Sequence, residues 1–253
     1  SIDNRILRLA GGTLDTTGYK VDANNKLRQM HVATGSDIGG TNVDQEFISL
    51  LEKILGADII RKFQEESPIG WFRLMNEFDH QKKAIQNDES DVITILMPNT
   101  LLDVTLSATG RELEEIVKSK KIKGLSSNSE YIIIKYSLIQ EIFSKAVDGI
   151  IRHMQEKMES PDLKEVSRIV MVGGFSDSAI LQSAVKQKFE TDAIRVITPE
   201  DAALCVIKGG VRFGHKPQVI QTRITRKCYG TRIAEVYDPK KHGPDRTHVE
   251  VYD

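Results

Sequence analysis

The chain has 253 residues, with 35 Lys and Arg against 36 Asp and Glu and a formal net charge of −1 at pH 7. This balance lacks the basic surplus of proteins that bind nucleic acid or an anionic membrane surface. Only two cysteines are present and no apolar run approaches the roughly 18 residues of a membrane helix, so we expect a cytoplasmic domain with neither membrane nor nucleic acid as partner.

The first part of the chain predicts a β-meander. Apolar residues and turn residues place its strands at 5–10, 14–21 and 27–34. The first bend is Gly11-Gly12-Thr13, and Asp15 follows it. Paired glycines let backbone N–H groups approach an anion closely, and a threonine hydroxyl can bond a phosphate oxygen. Taken alone, these residues favour an ordinary hairpin turn over a phosphate site.

A helical segment follows the meander. Gly39 and Gly40 end a loop, and the apolar spacing from residue 43 predicts a helix that is capped by Thr41 or Asn42. A helix N-terminus after a glycine loop suits a phosphate or ribose oxygen. Further on, the pattern predicts a helix around Trp71, strands at 92–97 and 101–107, and a capping box at 109–112 that opens another helix.

The last third alternates between strand and helix, which favours an α/β layer structure. Strands are expected at 131–136, 166–172 and 193–197, with helices at 137–159, about 180–189 and about 199–213. Gly173-Gly174-Phe175 directly follows the buried strand 166–172. In open α/β sheets, ligands bind outside the carboxyl ends of strands, so this turn is a candidate ligand site.

Three glycine bends in this order resemble the second lobe of the nucleotide-binding domain of the 70-kDa heat-shock proteins. The matching phrases are 9–15, 39–44, 172–174 and 199–203. Residues 41–47, 172–175 and 199–202 look most like the divergent type-12 branch of that family. The resemblance implies a ribonuclease-H-like mixed sheet flanked by helices, an actin-like ATPase lobe, with a helical α+β insertion. It assigns 1–40 and 131–215 to one subdomain, 41–130 to the insertion and 216–253 to a linker or the start of a following segment.

The resemblance also implies ATP or ADP as ligand. The bend at Gly11, Gly12 and Thr13 would face the phosphates. The base would lie against Gly173, Gly174 and Phe175. Four further positions near the nucleotide are expected at Asp79, Lys82, Gln86 and Glu200.

Three departures from the family pattern affect catalysis. Arg8 stands where the family has an Asp that helps to hold Mg²⁺, Ala10 replaces the first glycine of a triplet, and Asp177 replaces an Arg that stacks on adenine. Because a guanidinium group reverses the charge where a hard cation belongs, we expect weak Mg²⁺ binding. The chain also begins at Ser1, and we expect the first lobe, which supplies another phosphate loop, to lie upstream. Phosphoryl transfer needs groups from both lobes to position the phosphates and neutralise their charge. We therefore expect weak or no ATPase activity from this chain alone.

Two alternatives remain open from the residues. Arg8, Asp15, Asp177 and Glu200 offer polar groups for a monosaccharide, with Phe175 stacking on its apolar face. In the second alternative, the chain is a scaffold domain that contacts a protein partner through the insertion 41–130.

Overall fold

The computed structural model describes residues 5–11 and 14–225, together with residues 227, 230, 238 and 240. The strands in chain order are β1 Arg5–Gly11, β2 Leu14–Val21, β3 Leu27–Gln29, β4 Thr34–Ser36, β5 Val92–Leu96, β6 Leu125–Ser127, β7 Tyr131–Lys135, β8 Val166–Val172, β9 Arg195–Ile197 and β10 Ile220–Thr222. The helices are α1 Gly40–Leu55, α2 Ala57–Glu66, α3 Pro68–Ala84, α4 Asn99–Thr109, α5 Leu113–Lys120, α6 Tyr136–Met158, α7 Ala179–Phe189 and α8 Ala202–His215. The predicted α/β class is confirmed, while its finer ribonuclease-H-like topology stays a prediction.

The larger sheet has the strand order β10-β3-β2-β1-β8-β9, and β4 pairs with the first residues of β2. Strand β1 runs antiparallel to β2 and parallel to β8. Ala10 is paired with Val172 in the parallel register. Because parallel strands end at the same edge of a sheet, the last residues of β1 and of β8 lie side by side.

A smaller sheet has the order β5-β7-β6, with both pairings antiparallel. Its isoleucines alternate along the strands, so that Ile93, Ile95, Ile132 and Ile134 are all buried on one face. Strand β7 begins at the predicted boundary between the insertion and the following subdomain, and it pairs with strands of the insertion. The division into subdomains itself stays a prediction.

Helices α1 and α3 pack together through two aromatic rings. Phe47 and Phe78 are completely buried, and their rings stack with centroids 3.9 Å apart and an interplanar angle of 6°. The buried apolar residues of each helix recur three or four positions apart, as Val43 and Phe47 do in α1 and Leu74 and Phe78 in α3. This contact sets the separation of the two helices that border the cavity described below.

Residues 101–107, which the pattern predicted as a strand, lie in helix α4. Leu101 and Thr105 are buried one helical turn apart, so the helical arrangement points both of them into the core. The predicted capping box at 109–112 is also wrong. Gly110 has a φ of 64° and ends α4, and α5 begins only after Glu112.

Several predicted boundaries differ from the observed ones. The strand predicted at 27–34 is divided into β3 and β4, and β6 was not predicted. Helix α1 begins at Gly40, and the Asn42 side chain accepts a hydrogen bond from the Gly39 N–H at 2.7 Å. Helix α8 begins at Ala202 rather than near residue 199. Within the predicted linker 216–253, strand β10 pairs with β3, and most residues beyond 225 lie outside the described part.

Replacing Phe47 with Ala should lower the free energy of unfolding by about 3–5 kcal/mol, because it removes a fully buried ring and leaves a cavity. Phe72→Ala is the matched control, since 68% of the Phe72 side chain is exposed, and its effect should stay within about 0.5 kcal/mol. Urea denaturation of both variants measures the difference. Equal effects of the two substitutions would contradict the packing described here.

Candidate functional site

Four segments that are distant in sequence enclose a cavity of about 250 Å³. They are the start of α1, the second half of α3, the middle of α6 and the turn that follows β8. The residues that line the cavity are Gly40, Thr41, Asp44, Asp79, Lys82, Lys83, Phe143, Gly174, Phe175 and Ser178.

The turn after β8 depends on glycine at its first position. Gly173 has a φ of 96°, in the left-handed region that L-residues avoid, and its N–H donates to the Ala202 carbonyl at 2.7 Å. A 3₁₀ turn at Gly174–Asp177 follows. The Ser176 hydroxyl closes this turn by donating to the Val172 carbonyl at 2.9 Å. The backbone is therefore held in place at the mouth of the cavity.

Phe175 and Phe143 form the apolar wall of the cavity. Phe175 is 8% exposed, and its ring centroid lies 6.3 Å from that of Phe143 at an interplanar angle of 24°. A Cβ placed on Gly40 would lie 3.6 Å from the Phe175 ring. The glycine bend before α1 thus lies against the glycine turn after β8. Gly11 lies at the same edge of the sheet, because the residue before it, Ala10, is paired with Val172.

Lys82 forms the polar wall together with two aspartates. The Lys82 side chain is 9% exposed, and its Nζ donates to Asp44 Oδ1 on α1 and to Asp79 Oδ1 on α3, the latter at 2.9 Å. The same ammonium lies 5.8 Å from the Phe78 ring centroid. A buried ammonium without such partners would be strongly unfavourable. The lysine therefore depends on both carboxylates.

Asp79 has a second cationic partner. Partial burial acts to raise the pKa of Asp79, but hydrogen bonds and charge interactions with Lys83 and Lys82 outweigh it and lower the pKa below its ordinary value. The carboxyl group is therefore ionised at neutral pH, as the network requires.

The structure brings some of the predicted site residues together and leaves others apart. Gly40, Asp79, Lys82, Gly174 and Phe175 line the cavity, with Gly39 and Gly173 next to it in the chain. Gly12 and Thr13 lie outside the described residues. The remaining predicted positions are exposed and outside the lining, namely Asp15, Gln86, Asp177 and Glu200. A role in ligand binding stays a prediction for all of these residues.

The prediction of site residues did not include five residues that line the cavity: Thr41, Asp44, Lys83, Phe143 and Ser178. One signal for Asp44 is available in the sequence, because it lies four residues after Gly40 and so on the same face of the helix. Nothing in the sequence indicates that Phe143, in the middle of the long helix α6, faces this cavity.

Comparison with known proteins identifies relatives along almost the whole chain. It is 31% identical over 242 residues to the human "Heat shock 70 kDa protein 12A" and, over the same length, to its mouse counterpart, in each case covering 95% of this chain and 36% of the relative. It is 28% identical over 241 residues to the human "Heat shock 70 kDa protein 12B", covering 94% of this chain and 35% of that relative. No protein-family model matches the chain.

The chain is a relative of the type-12 branch of the 70-kDa heat-shock protein family. This confirms the resemblance that the glycine bends predicted. The chain spans about a third of the length of the type-12 proteins that it matches. Among the described helices, none combines the length and the apolar composition needed to cross a membrane.

The lowered pKa of Asp79 predicts how the stability of the fold changes at acidic pH. A carboxyl group whose folded pKa is depressed stabilises the fold above its unfolded pKa, and this contribution is lost as the pH falls below about 4. Asp79→Asn should therefore flatten the acid limb of the curve of stability against pH. Urea denaturation at a series of pH values measures this, with Asp103→Asn on the exposed side of α4 as control. Equal slopes for all three proteins would contradict the assignment.

Proposed function

We propose that the chain binds an adenine nucleotide, ATP or ADP, in the cavity between α1, α3, α6 and the turn after β8. The observation that carries this proposal is the convergence of the Gly173–Gly174 turn and the buried Lys82 network on one cavity. The relationship to the type-12 heat-shock proteins supports a heat-shock-70-like nucleotide-binding domain.

The two walls of the cavity suit the two parts of a nucleoside. A flat base can lie against the backbone at Gly174 and the apolar face formed by Phe175 and Phe143. The ribose hydroxyls can exchange hydrogen bonds with Asp79 and Lys82. The cavity of about 250 Å³ is slightly smaller than the roughly 300–1,000 Å³ of typical small-molecule sites. It therefore accommodates part of a nucleotide, and the proposed phosphate contacts at Gly11 rest on the resemblance.

The cavity does not fit Mg²⁺ as a ligand of its own. Asp44 and Asp79 are the carboxylates of its lining, and both are ion-paired with Lys82. A divalent cation would have to compete with this built-in ammonium for hard oxygen ligands. Among the described residues there is no group of three or more His, Cys, Asp or Glu arranged to hold a metal.

We further propose that this chain has weak or no ATPase activity by itself. Phosphoryl transfer depends on positive charge placed around the transferred group. The cations of the cavity, Lys82 and Lys83, are both bound to carboxylates, and Arg8 stands where the related chaperones carry a metal-binding Asp. Binding is thus the activity that the site supports.

Gly174→Val tests the proposed binding. A Cβ at Gly174 would meet no described atom within 4 Å, so the added side chain should leave the fold intact and occupy space at the mouth of the cavity. We expect ADP affinity to fall at least about tenfold, equivalent to roughly 1.4 kcal/mol, measured by isothermal titration calorimetry. Gly209→Val on α8, where a Cβ likewise meets no described atom, is the matched control and should bind like the unmodified chain.

Two results would argue against nucleotide binding in this cavity. The first is the absence of any heat signal from the folded, unmodified chain at millimolar ADP. The second is an equal affinity for ADP in the two valine variants, which would place the ligand elsewhere.

A further inference from the structure

We propose that strand β5 is a self-association edge, at which the β5 strands of two copies of the chain pair antiparallel about a two-fold axis through Thr94. This surface is separate from the candidate nucleotide cavity, whose lining contains no residue of β5. The backbone groups, the side chains and the charge of β5 all favour a second copy of the same strand as the partner.

Strand β5 is an open edge of the smaller sheet. Its only neighbour among the described strands is β7. The strand has five residues, whereas β4, β6, β9 and β10, which also lie at the sides of their sheets, have three each. It is therefore the longest edge strand in the part of the chain that the structure describes.

The last hydrogen bond between β5 and β7 shows which backbone groups face the open edge. The N–H of Met97 donates to the Glu130 carbonyl at 2.8 Å. In an antiparallel pair, successive residues bond to the neighbouring strand and away from it in turn. Val92, Thr94 and Leu96 therefore direct their N–H and C=O groups away from β7, and no hydrogen-bond partner for these groups lies among the described residues.

The side chains of the same residues are exposed on the face of the sheet opposite the buried isoleucines. Val92 is 45% exposed and Leu96 is 49% exposed, and Thr94 between them is exposed as well. Natural edge strands are commonly protected by lysine, proline or an inward-pointing charge. The sequence of β5, Val-Ile-Thr-Ile-Leu, contains none of these, so its edge can accept another strand.

The order of the exposed side chains suits pairing of β5 with itself. Antiparallel pairing about Thr94 places Val92 beside the partner's Leu96 on both sides of the axis, and Thr94 beside its own counterpart. All of these positions present free N–H and C=O groups, so each pair can exchange two N–H···O bonds. A two-fold interface requires a patch that is complementary to itself, and β5 meets this requirement in both its backbone and its side chains.

Charge and size indicate a weak dimer. Strand β5 has no ionisable side chain and the chain has a net charge of −1, so repulsion between two copies is small. At roughly 3.4 Å per residue the paired edge is about 17 Å long. Such a strip buries less than the roughly 800 Å² per partner of a stable complex. We therefore expect the dimer to form between about 10 μM and 1 mM chain.

The unmodified chain tests the proposal without any substitution. Sedimentation velocity over the range of about 10 μM to 1 mM should show conversion from monomer to dimer. Over the same range, the amide hydrogens of Thr94 and Leu96 should exchange with deuterium at least about threefold more slowly, because the dimer bonds them. The amide of Ile93, which already faces β7, should exchange at a rate that does not depend on concentration.

Substitutions at Thr94 test the position of the axis. Thr94→Lys places two like charges side by side and should weaken the dimer at least about tenfold, and Thr94→Glu should do the same. An equimolar mixture of these two variants should associate at least about tenfold more tightly than either variant alone. Ser126→Lys is the matched control, because Ser126 is exposed in the same row of the sheet, beyond Ile133, and should self-associate like the unmodified chain.

Two outcomes would overturn the proposal. The first is a folded chain that stays monomeric at about 1 mM with unchanged exchange of the Thr94 amide, which would leave the open edge to a different partner. The second is a dimer that survives Thr94→Lys and is lost in Ile207→Lys, which would assign the contact to the exposed face of α8, where Ile207 is 67% exposed. Circular dichroism melts establish that the variants are folded. If a Thr94 variant does not fold, the amide exchange of the unmodified chain still decides the question.

Discussion

An ammonium group buried between two carboxylates joins helix α1 to helix α3 beside the cavity. Removing a charge from water costs several kcal/mol unless its partners are placed well, so the Lys82 side chain restricts where Asp44 and Asp79 can lie. The Phe47–Phe78 stack is one helical turn away on the same two helices. Ring packing and ion pairing thus support each other, and together they give the cavity wall a defined shape before any ligand arrives.

The sheet supplies the other half of the site through its register. Because β1 and β8 are parallel neighbours and Ala10 is paired with Val172, the end of β1 at Gly11 and the glycine turn after β8 lie at one edge of the sheet. The glycine bend before α1 reaches this turn, since a Cβ on Gly40 would contact the Phe175 ring. A small-ligand site at this edge follows the general behaviour of α/β sheets, in which strand ends leave backbone groups unpaired.

Local patterns predicted much of the fold. Strand β2 has its predicted limits, set by the turn residues at each end. Helix α6 differs from its predicted limits by one residue at each end, because helical apolar spacing continues through the segment. The segment 101–107 was misread because a short apolar run does not distinguish a strand from a buried helix. In the structure the segment is helical, with Leu101 and Thr105 buried on one face and Gly110 ending the helix.

The site could be predicted only in part, for a physical reason. Gly40 and Gly174 are predicted by glycine motifs whose residues are close together in sequence, and Lys82 by the family resemblance. The ion pair between Asp44 and Lys82 spans 38 positions, and the position of Phe143 depends on how α6 packs. Such contacts depend on the tertiary arrangement, which a single sequence does not encode in any short spacing.

The pairing of β1 with β8 also has a consequence for the order of folding. Strand β1 ends at Gly11 and β8 begins at Val166, so a long loop must close before the two strands meet, and such non-local pairing is slow to form. The smaller sheet and its surrounding helices are local in sequence and need no such closure. We expect the insertion to acquire protection early in pulse-labelling hydrogen exchange and β1 and β8 to acquire it late. Simultaneous protection of the amides in all of these segments would contradict this order. If the order holds, a nascent chain has no cavity until β8 has been synthesised.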